Sequence, residues 1–199
     1  IYQRCKMQKF DNVIQSKSYL QYLNELVTSN QFNWYYMSST AYKEESENKP
    51  YNFSFYHLLV NKGEPVSDKW DIFLPLVYEL VEKSGIKEHY ISRVRLGMIT
   101  QAPHFNVHAP HCDFIEEHKT LLYYLNKSDG DTFFYSNKFK VSEDGKEPYR
   151  YETCDMSYQN HYKKNSMISF DGHTYHSSSS PQHHNCRIAI NINLFPVNK

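Results

Sequence analysis

Histidine and aspartate side chains that could bind a metal ion lie close together in the second half of the chain. Residues 108–114 read HAPHCDF, in which His111 and Asp113 are separated by one residue. Alternate residues of a β-strand project to the same face, so an imidazole and a carboxylate at this spacing would point into one cavity. A lone H-x-D is weak evidence in a chain with 11 histidines. A third ligand from another strand would complete a 2-His-1-carboxylate triad, which binds Fe(II) and leaves positions open for a cosubstrate and O2.

The segment of residues 165–195 offers this third ligand and a partner for a cosubstrate. Two histidines are candidates: His176, which precedes a run of small serines, and His173, which lies in the turn after Asp171-Gly172. Further on, the strand-like stretch RIAININLF places Arg187 on a polar face opposite an apolar face of isoleucines. The planar fork of an arginine fixed on a strand is suited to binding a dicarboxylate.

Two amphipathic helices and a series of short strands are predicted to position these residues. Apolar residues recur at helical spacing over residues 16–27, and again from an expected N-cap at Ser67 to Gly85, with Pro75 expected to kink or divide this second helix. From Glu88 onward, runs rich in β-branched and aromatic residues alternate with polar turns. The polar stretch of residues 40–51 is predicted to be a loop and a candidate lid. The expected fold is therefore mainly β, α+β, with a jelly-roll core and supporting N-terminal helices.

Composition and charge narrow the class of protein. The 199 residues include 22 basic and 22 acidic side chains, so the balance indicates neither nucleic acid nor a membrane surface as a partner. No apolar run has the length of a membrane-spanning helix, and residues 1–10 lack the apolar stretch of a signal peptide, which predicts a soluble, cytoplasmic protein. The four cysteines, at positions 5, 112, 154 and 186, form no C-x-x-C pair and are predicted to be free thiols.

At these residues the sequence resembles the Fe(II)- and 2-oxoglutarate-dependent oxygenases of the prolyl 4-hydroxylase type. The resemblance covers residues 93–195 and looks closest to the small oxygenases encoded by marine cyanophages. It rests on HCDF followed by HKTLLYYLNKSDGDTFFY, and on SFDGHTYHSSSSPQHHNCRIAININLF. The second stretch aligns His176, rather than His173, with the distal iron ligand of the family.

The resemblance implies a site and a set of cofactors. Iron would be held by His111, Asp113 and His176, and Arg187 together with Tyr124 would bind the distal carboxylate of 2-oxoglutarate, with Tyr123 as the alternative if the register slips. Fe(II), 2-oxoglutarate and O2 are the implied cofactor and cosubstrates, with ascorbate as an optional reductant. A phage gene would place the protein in the host cytoplasm.

The resulting expectation is one oxygenase domain over residues 1–199, with residues 1–88 as helical and mixed support and residues 89–199 as the jelly-roll catalytic core. It would hydroxylate a protein, peptide or small-molecule substrate, with peptidyl proline as the first candidate, and release succinate and CO2. The alternative is a non-catalytic jelly roll that binds a metal or a ligand.

Overall fold

Strands dominate the computed structural model, which describes residues 7–42 and 50–197. The helices are α1 (Lys17–Val27) and α2 (Trp70–Ser84). The strands are β1 (Gln8–Asp11), β2 (Tyr35–Met37), β3 (Ser54–Asn61), β4 (Glu64–Pro65), β5 (His89–Thr100), β6 (Lys119–Tyr124), β7 (Thr132–Tyr135), β8 (Met156–Asn160), β9 (Ser166–Asp171), β10 (His176–Ser178) and β11 (Cys186–Pro196). In the described part of the chain, no helix has the length and apolar character that crossing a membrane requires.

Two antiparallel sheets form the framework. The major sheet has the order β1-β9-β6-β11-β5-β3-β2, with β4 added beside β3, and the minor sheet has the order β10-β7-β8. The central strands β5 and β11 pair over almost their full length, from Cys186 opposite Thr100 to Pro196 opposite His89. The predicted mainly-β fold with supporting helices is confirmed. Three strands that precede residue 62 also join the major sheet, so the N-terminal part contributes strands as well as helices.

The two faces of the major sheet have different neighbours. Its outer face packs under the helices in the larger core, to which β5 contributes Val94 and Leu96 and β11 contributes every second residue from Ile188 to Leu194. A smaller apolar cluster on the inner face joins the two sheets; its members are Leu122, Tyr124, Phe134, Ile168, Phe170 and Ala189. The alternation of a strand therefore sends apolar side chains to the helices and leaves the polar ones facing the space between the sheets.

The first helix begins as predicted, whereas the second begins later. Ser16 caps α1 by accepting a hydrogen bond from the Tyr19 amide. The expected N-cap of α2 at Ser67 is wrong, because Lys69 takes that position. Instead, the Ser67 hydroxyl lies 2.7 Å from Nε2 of His57 and accepts a hydrogen bond from the Lys69 amide at 3.0 Å. Gly85 ends α2 in the left-handed conformation, as the sequence indicates.

Pro75 lies inside α2 without dividing it. The hydroxyl of Tyr19 on α1 accepts from the Leu76 amide at 3.3 Å and donates to the Ile72 carbonyl at 2.6 Å. These are the two backbone groups that would bond to each other in a regular helix, so the hydroxyl bridges a local opening next to the proline. At the proline where the sequence predicts a kink, the Tyr19 hydroxyl therefore links α1 to the backbone of α2.

The remaining sequence expectations concern a loop and the cysteines. Residues 43–49 of the predicted loop and candidate lid lie outside the described residues, as does Cys5. Cys112, Cys154 and Cys186 are free thiols, as predicted.

Candidate metal centre

A short antiparallel bridge joins the two histidines of the candidate site. The His111 amide donates to the His176 carbonyl and the His176 amide donates to the His111 carbonyl, each at 3.0 Å. His176 begins β10, whereas His111 lies in an isolated bridge rather than in a named strand. The backbone therefore holds the two imidazoles side by side, with ring centroids 4.8 Å apart.

Both imidazoles are oriented by a carbonyl two residues earlier in the chain. Nδ1 of His111 lies 3.0 Å from the Ala109 carbonyl, and Nδ1 of His176 lies 3.0 Å from the Thr174 carbonyl. A carbonyl only accepts, so each Nδ1 carries the proton and each Nε2 keeps its lone pair. Burial lowers the pKa of His111 to about 4 and also lowers the pKa of His176. Neutral imidazoles with a free Nε2 are the form that binds a metal ion.

Asp113 brings a carboxylate to the same point. One ligand atom from each of His111, Asp113 and His176 lies within 4.8 Å of the others. Asp113 follows in a bend rather than a strand, which differs from the strand geometry considered from the sequence. The three predicted ligands are nevertheless brought together, and their donor set of two nitrogens and one oxygen fits Fe(II).

Three side chains hold the Asp113 carboxylate. The Arg93 guanidinium donates to Oδ1 at 2.7 Å, and the amides of Asn191 and Asn193 each donate to Oδ2 at 3.0 Å. Burial would raise the pKa of Asp113, but the Arg93 charge and the two imidazoles hold that pKa well below its usual range. A carboxylate has about four lone-pair sites, so these three hydrogen bonds leave capacity for a metal ion.

Arg187 is buried on β11 at the other end of the same cavity. Its Nε donates to the Gly130 carbonyl at 3.0 Å and its Nη2 donates to the Thr132 hydroxyl at 2.8 Å. No carboxylate among the described residues pairs with it. A side chain at Gly130 would place its Cβ 2.6 Å from the Ser179 carbonyl and 2.9 Å from Cδ of Arg187. Glycine at position 130 therefore makes room for a buried guanidinium whose charge lacks a counterion.

Tyr124 lies one hydrogen bond away from Arg187. Its hydroxyl donates to Thr132 Oγ1 at 2.8 Å and accepts from the Asn160 amide at 2.7 Å. Thr132 lines the cavity and links Tyr124 to the guanidinium. Direct contact between Tyr124 and a cosubstrate stays a prediction. The alternative residue, Tyr123, belongs to the outer core, where its hydroxyl donates to Asn165.

One cavity connects these groups. It is lined by His111, His176, Thr132, Arg187, Arg95 and Asn191, among others. The two histidines of the candidate metal site and the arginine predicted to anchor the cosubstrate thus face the same space. An anion bound at Arg187 and a metal ion at the histidines would be neighbours within it.

The structure distinguishes His176 from His173, the two candidates for the third metal ligand. His173 lies outside the cluster, where its Nε2 is 3.0 Å from the Ile115 carbonyl and its ring stacks on Phe139 at 3.7 Å. Among the described residues, His176 and not His173 joins His111 and Asp113 in the group that could hold a metal ion.

The partners of Asp113 were not among the residues predicted for the site. The structure shows that Arg93 forms an ion pair with Asp113 within the protein. Asn191 and Asn193 are the other two partners of the Asp113 carboxylate. The sequence signal that could have indicated these three partners is the alternation of side chains along β5 and β11. This alternation places them on the polar face that also carries Arg187.

Comparisons with known proteins identify the fold. No protein-family model matches the sequence, and no curated protein is significantly similar to it. Among solved structures, an oxidoreductase of the 2OG-Fe(II) oxygenase family from Burkholderia pseudomallei has a TM-score of 0.61 at 10% identity over 96% of this chain and 85% of its own. The fold is that of the 2OG-Fe(II) oxygenases.

Two further solved structures share this oxygenase fold and were solved in complex with different molecules. A prolyl hydroxylase from Trichoplax adhaerens, in complex with a hypoxia inducible factor peptide fragment, has a TM-score of 0.61 at 12% identity over 96% of this chain and 83% of its own. The epimerase SnoN, in complex with Fe3+, alpha ketoglutarate and nogalamycin RO, has a TM-score of 0.64 at 12% identity over 98% of this chain and 80% of its own. The predicted jelly-roll core is confirmed, and the fold accommodates both peptide and small-molecule ligands.

Proposed function

We propose that this protein is an Fe(II)- and 2-oxoglutarate-dependent dioxygenase that hydroxylates an organic substrate. The observation that carries the proposal is the cluster of His111, Asp113 and His176, whose two histidines line one cavity with the buried, counterion-free Arg187. Bound iron would supply the oxidising chemistry, and 2-oxoglutarate would be converted to succinate and CO2.

The side chains of the cavity have separate tasks in this proposal. His111, Asp113 and His176 hold the metal on one side and leave its other side open to the cavity. Arg187 binds the distal carboxylate of 2-oxoglutarate, because its remaining donors are free for a charge-assisted hydrogen bond. Tyr124 and Thr132 support this end of the cosubstrate. Arg93 and the two asparagines orient Asp113, a task that commonly affects metal affinity.

The cosubstrate assignment is tested by anaerobic titration of the Fe(II)-loaded protein with 2-oxoglutarate. We expect the weak visible charge-transfer band of the chelate to appear and to saturate. Arg187→Lys keeps the charge but loses the planar fork, so it should weaken 2-oxoglutarate binding by about tenfold, which corresponds to 1.4 kcal/mol. Arg187→Met should weaken it further.

The matched control for the metal ligands is the pair His176→Gln and His173→Gln. The first should abolish the chelate band and the second should leave it in place, because only His176 belongs to the cluster. A fully iron-loaded wild-type protein that shows no band would contradict the proposal and favour the non-catalytic jelly roll.

Peptidyl proline is the substrate that we propose to test first. Support comes from the prolyl hydroxylase of similar fold that was crystallised with a peptide fragment. Incubation of proline-containing peptides with protein, Fe(II), 2-oxoglutarate and O2 should add one oxygen atom to the peptide, as seen by mass spectrometry. Succinate formation that no proline peptide stimulates, in a protein with a normal chelate band, would exclude proline while leaving the dioxygenase assignment intact.

A further inference from the structure

A second arginine, Arg95, lines the cavity without an ion pair of its own; the carboxylate charge that acts on it is that of Asp113, which Arg93 already pairs. Arg95 alternates on β5 with Val94 and Leu96, which are fully buried in the outer core, so Arg95 belongs to the inner face. The residue opposite it on β11 is Asn191, one of the residues that bind Asp113. Among the described residues, none forms a hydrogen bond or an ion pair with the Arg95 guanidinium. A cation without a partner inside a cavity is costly unless a ligand supplies the opposite charge.

The other two arginines of the inner face already have assigned tasks. Arg93 is paired with Asp113, and Arg187 is assigned to 2-oxoglutarate in the proposed function. Arg187 pairs with Ile99, whereas Asn191 pairs with Arg95, which lies four residues before Ile99 on β5. At about 3.4 Å per residue, this offset separates the two arginine backbones by roughly 14 Å along the strands. The cavity therefore has two separately anchored cations, which suit two different anions.

A count of formal charges supports the same conclusion. Arg93 and Asp113 neutralise each other, and a divalent metal would be neutralised by dianionic 2-oxoglutarate. Arg95 and Arg187 then leave two positive charges, and the described residues that line the cavity include no aspartate or glutamate. A filled metal and cosubstrate site would therefore still attract an anion.

Open space and polar groups lie beside Arg95. Gly97, the next inner-face residue of β5, has no atom within 4 Å of the position that a Cβ would occupy, and it lines the cavity. Ser54 on β3 lines the same cavity and its hydroxyl has no hydrogen-bond partner among the described residues. A small oxyanion group can thus approach Arg95 from the cavity side.

We propose that Arg95 binds a carboxylate or phosphate group of the prime substrate and selects for an anionic substrate in this cavity. This inference rests on the proposed function. The guanidinium fork matches the two oxygens of either group in parallel hydrogen bonds. The reacting carbon would then lie between the anion at Arg95 and the metal ligands, at a position set by the length of the substrate.

Calorimetric titration with matched anionic and neutral probes tests this inference. The Fe(II)-loaded protein with saturating 2-oxoglutarate, kept anaerobic, is titrated with N-acetyl-L-proline against N-acetyl-L-prolinamide, and with glycerol 3-phosphate against glycerol. We expect at least one anion to bind about tenfold more tightly than its neutral partner, since hydrogen bonds to charged groups contribute more than neutral ones. The stronger of the two anions identifies the group as carboxylate or phosphate.

Three variants assign the preference to Arg95. Arg95→Met should remove the preference for the anion. Arg95→Lys should keep part of this preference, and it provides a second test if the methionine variant folds poorly. Lys87→Met removes a positive charge from the exposed turn before β5 and should keep the full preference. A preference that is absent in wild type, or that survives in Arg95→Met, overturns the inference.

The chelate band, recorded in the same samples, separates the two proposals. A normal band without an anion preference overturns only the role of Arg95. An Arg95-dependent preference in a protein without the band supports the anion site and overturns the proposed function. If Arg95→Met weakens 2-oxoglutarate binding as strongly as Arg187→Met does while the anion preference persists, Arg95 binds the cosubstrate and the inference is wrong.

Discussion

The two faces of the β5–β11 pair divide the tasks of the molecule. On the outer face, Val94, Leu96 and Ile190 are fully buried against the helices. On the inner face of the same strands, Arg93 orients the Asp113 carboxylate and Arg187 lies without a counterion. Adjacent residues of one strand thus serve either stability or chemistry, because successive side chains project to opposite sides. Substitutions on the two faces should therefore produce separable effects.

The largest effect is expected for Asp113→Ala on the inner side. Loss of the carboxylate removes a proposed metal ligand, so formation of succinate from 2-oxoglutarate should fall below detection. The variant also leaves Arg93 without its partner, which should lower the free energy of unfolding by about 3–5 kcal/mol. Succinate assays and urea unfolding measure the two effects.

Asp171→Ala is the matched control for this variant. Asp171 forms a more exposed ion pair with Lys119 at 2.9 Å, and exposed pairs contribute about 0–1 kcal/mol. This control should retain succinate formation. Equal losses in both variants would show that the inner face is not specialised.

A smaller effect, on stability alone, is expected for Leu96→Ala on the outer face. Leu96 is fully buried in the larger core, so its truncation should lower the free energy of unfolding by about 2–5 kcal/mol. Urea unfolding measures this loss, and 2-oxoglutarate binding should persist in the folded variant. Leu122→Ala, which enlarges the cavity from the inner face, should cost less stability and alter 2-oxoglutarate binding. The reverse pattern would contradict the division between the faces.

The smallest effect concerns the pH dependence of stability. Burial lowers the pKa of His108 from 6.5 to about 4, and its Nδ1 donates to the Ser178 carbonyl at 2.7 Å. Between these two pH values the unfolded chain takes up a proton that the folded protein does not. The free energy of unfolding should therefore fall as the pH falls from about 6.5 to about 4.

Substitution isolates the part of this pH dependence that belongs to His108. His108→Gln should show a shallower slope than wild type in urea unfolding at a series of pH values. His161→Gln changes a histidine whose side chain is 81% exposed and should keep the wild-type slope. An unchanged slope in His108→Gln would mean that this histidine is protonated in the folded protein.

The part of the fold that sequence predicts is the part with regular alternation. The period of two over residues 187–195 indicates a strand with an apolar and a polar face, and both faces are present in β11. The spacing of His111 and Asp113, with His176 further along, leads to three side chains that the structure brings together, and Arg187 lines one cavity with the two histidines. Their roles as ligands stay predictions until metal and cosubstrate binding are measured.

The remaining features of the fold and the site depend on irregular backbone geometry, which the alternation of apolar and polar residues in the sequence cannot reveal. In β3 the pairing with β5 shifts between Leu58 and Val60, so two consecutive residues, Leu59 and Val60, are buried and the alternation is interrupted. Arg93 and Asp113 meet although they lie 20 positions apart in the sequence, with the end of β5 and a loop between them, and no local pattern encodes that contact. Sequence therefore indicates which residue types face the site but not which of them pair there.

The reciprocal backbone bonds between His111 and His176 bear on how the protein acquires its metal. These bonds join backbone groups and need no metal ion, so the polypeptide itself would hold the two imidazoles of the proposed centre side by side. A preformed site with two nitrogens and one oxygen also binds Co2+, Ni2+ and Zn2+, generally more tightly than Fe2+. If the proposed centre binds metal, the ion in each new molecule would depend on which metals are available during its synthesis, and metal supply would set the fraction of molecules that carry iron.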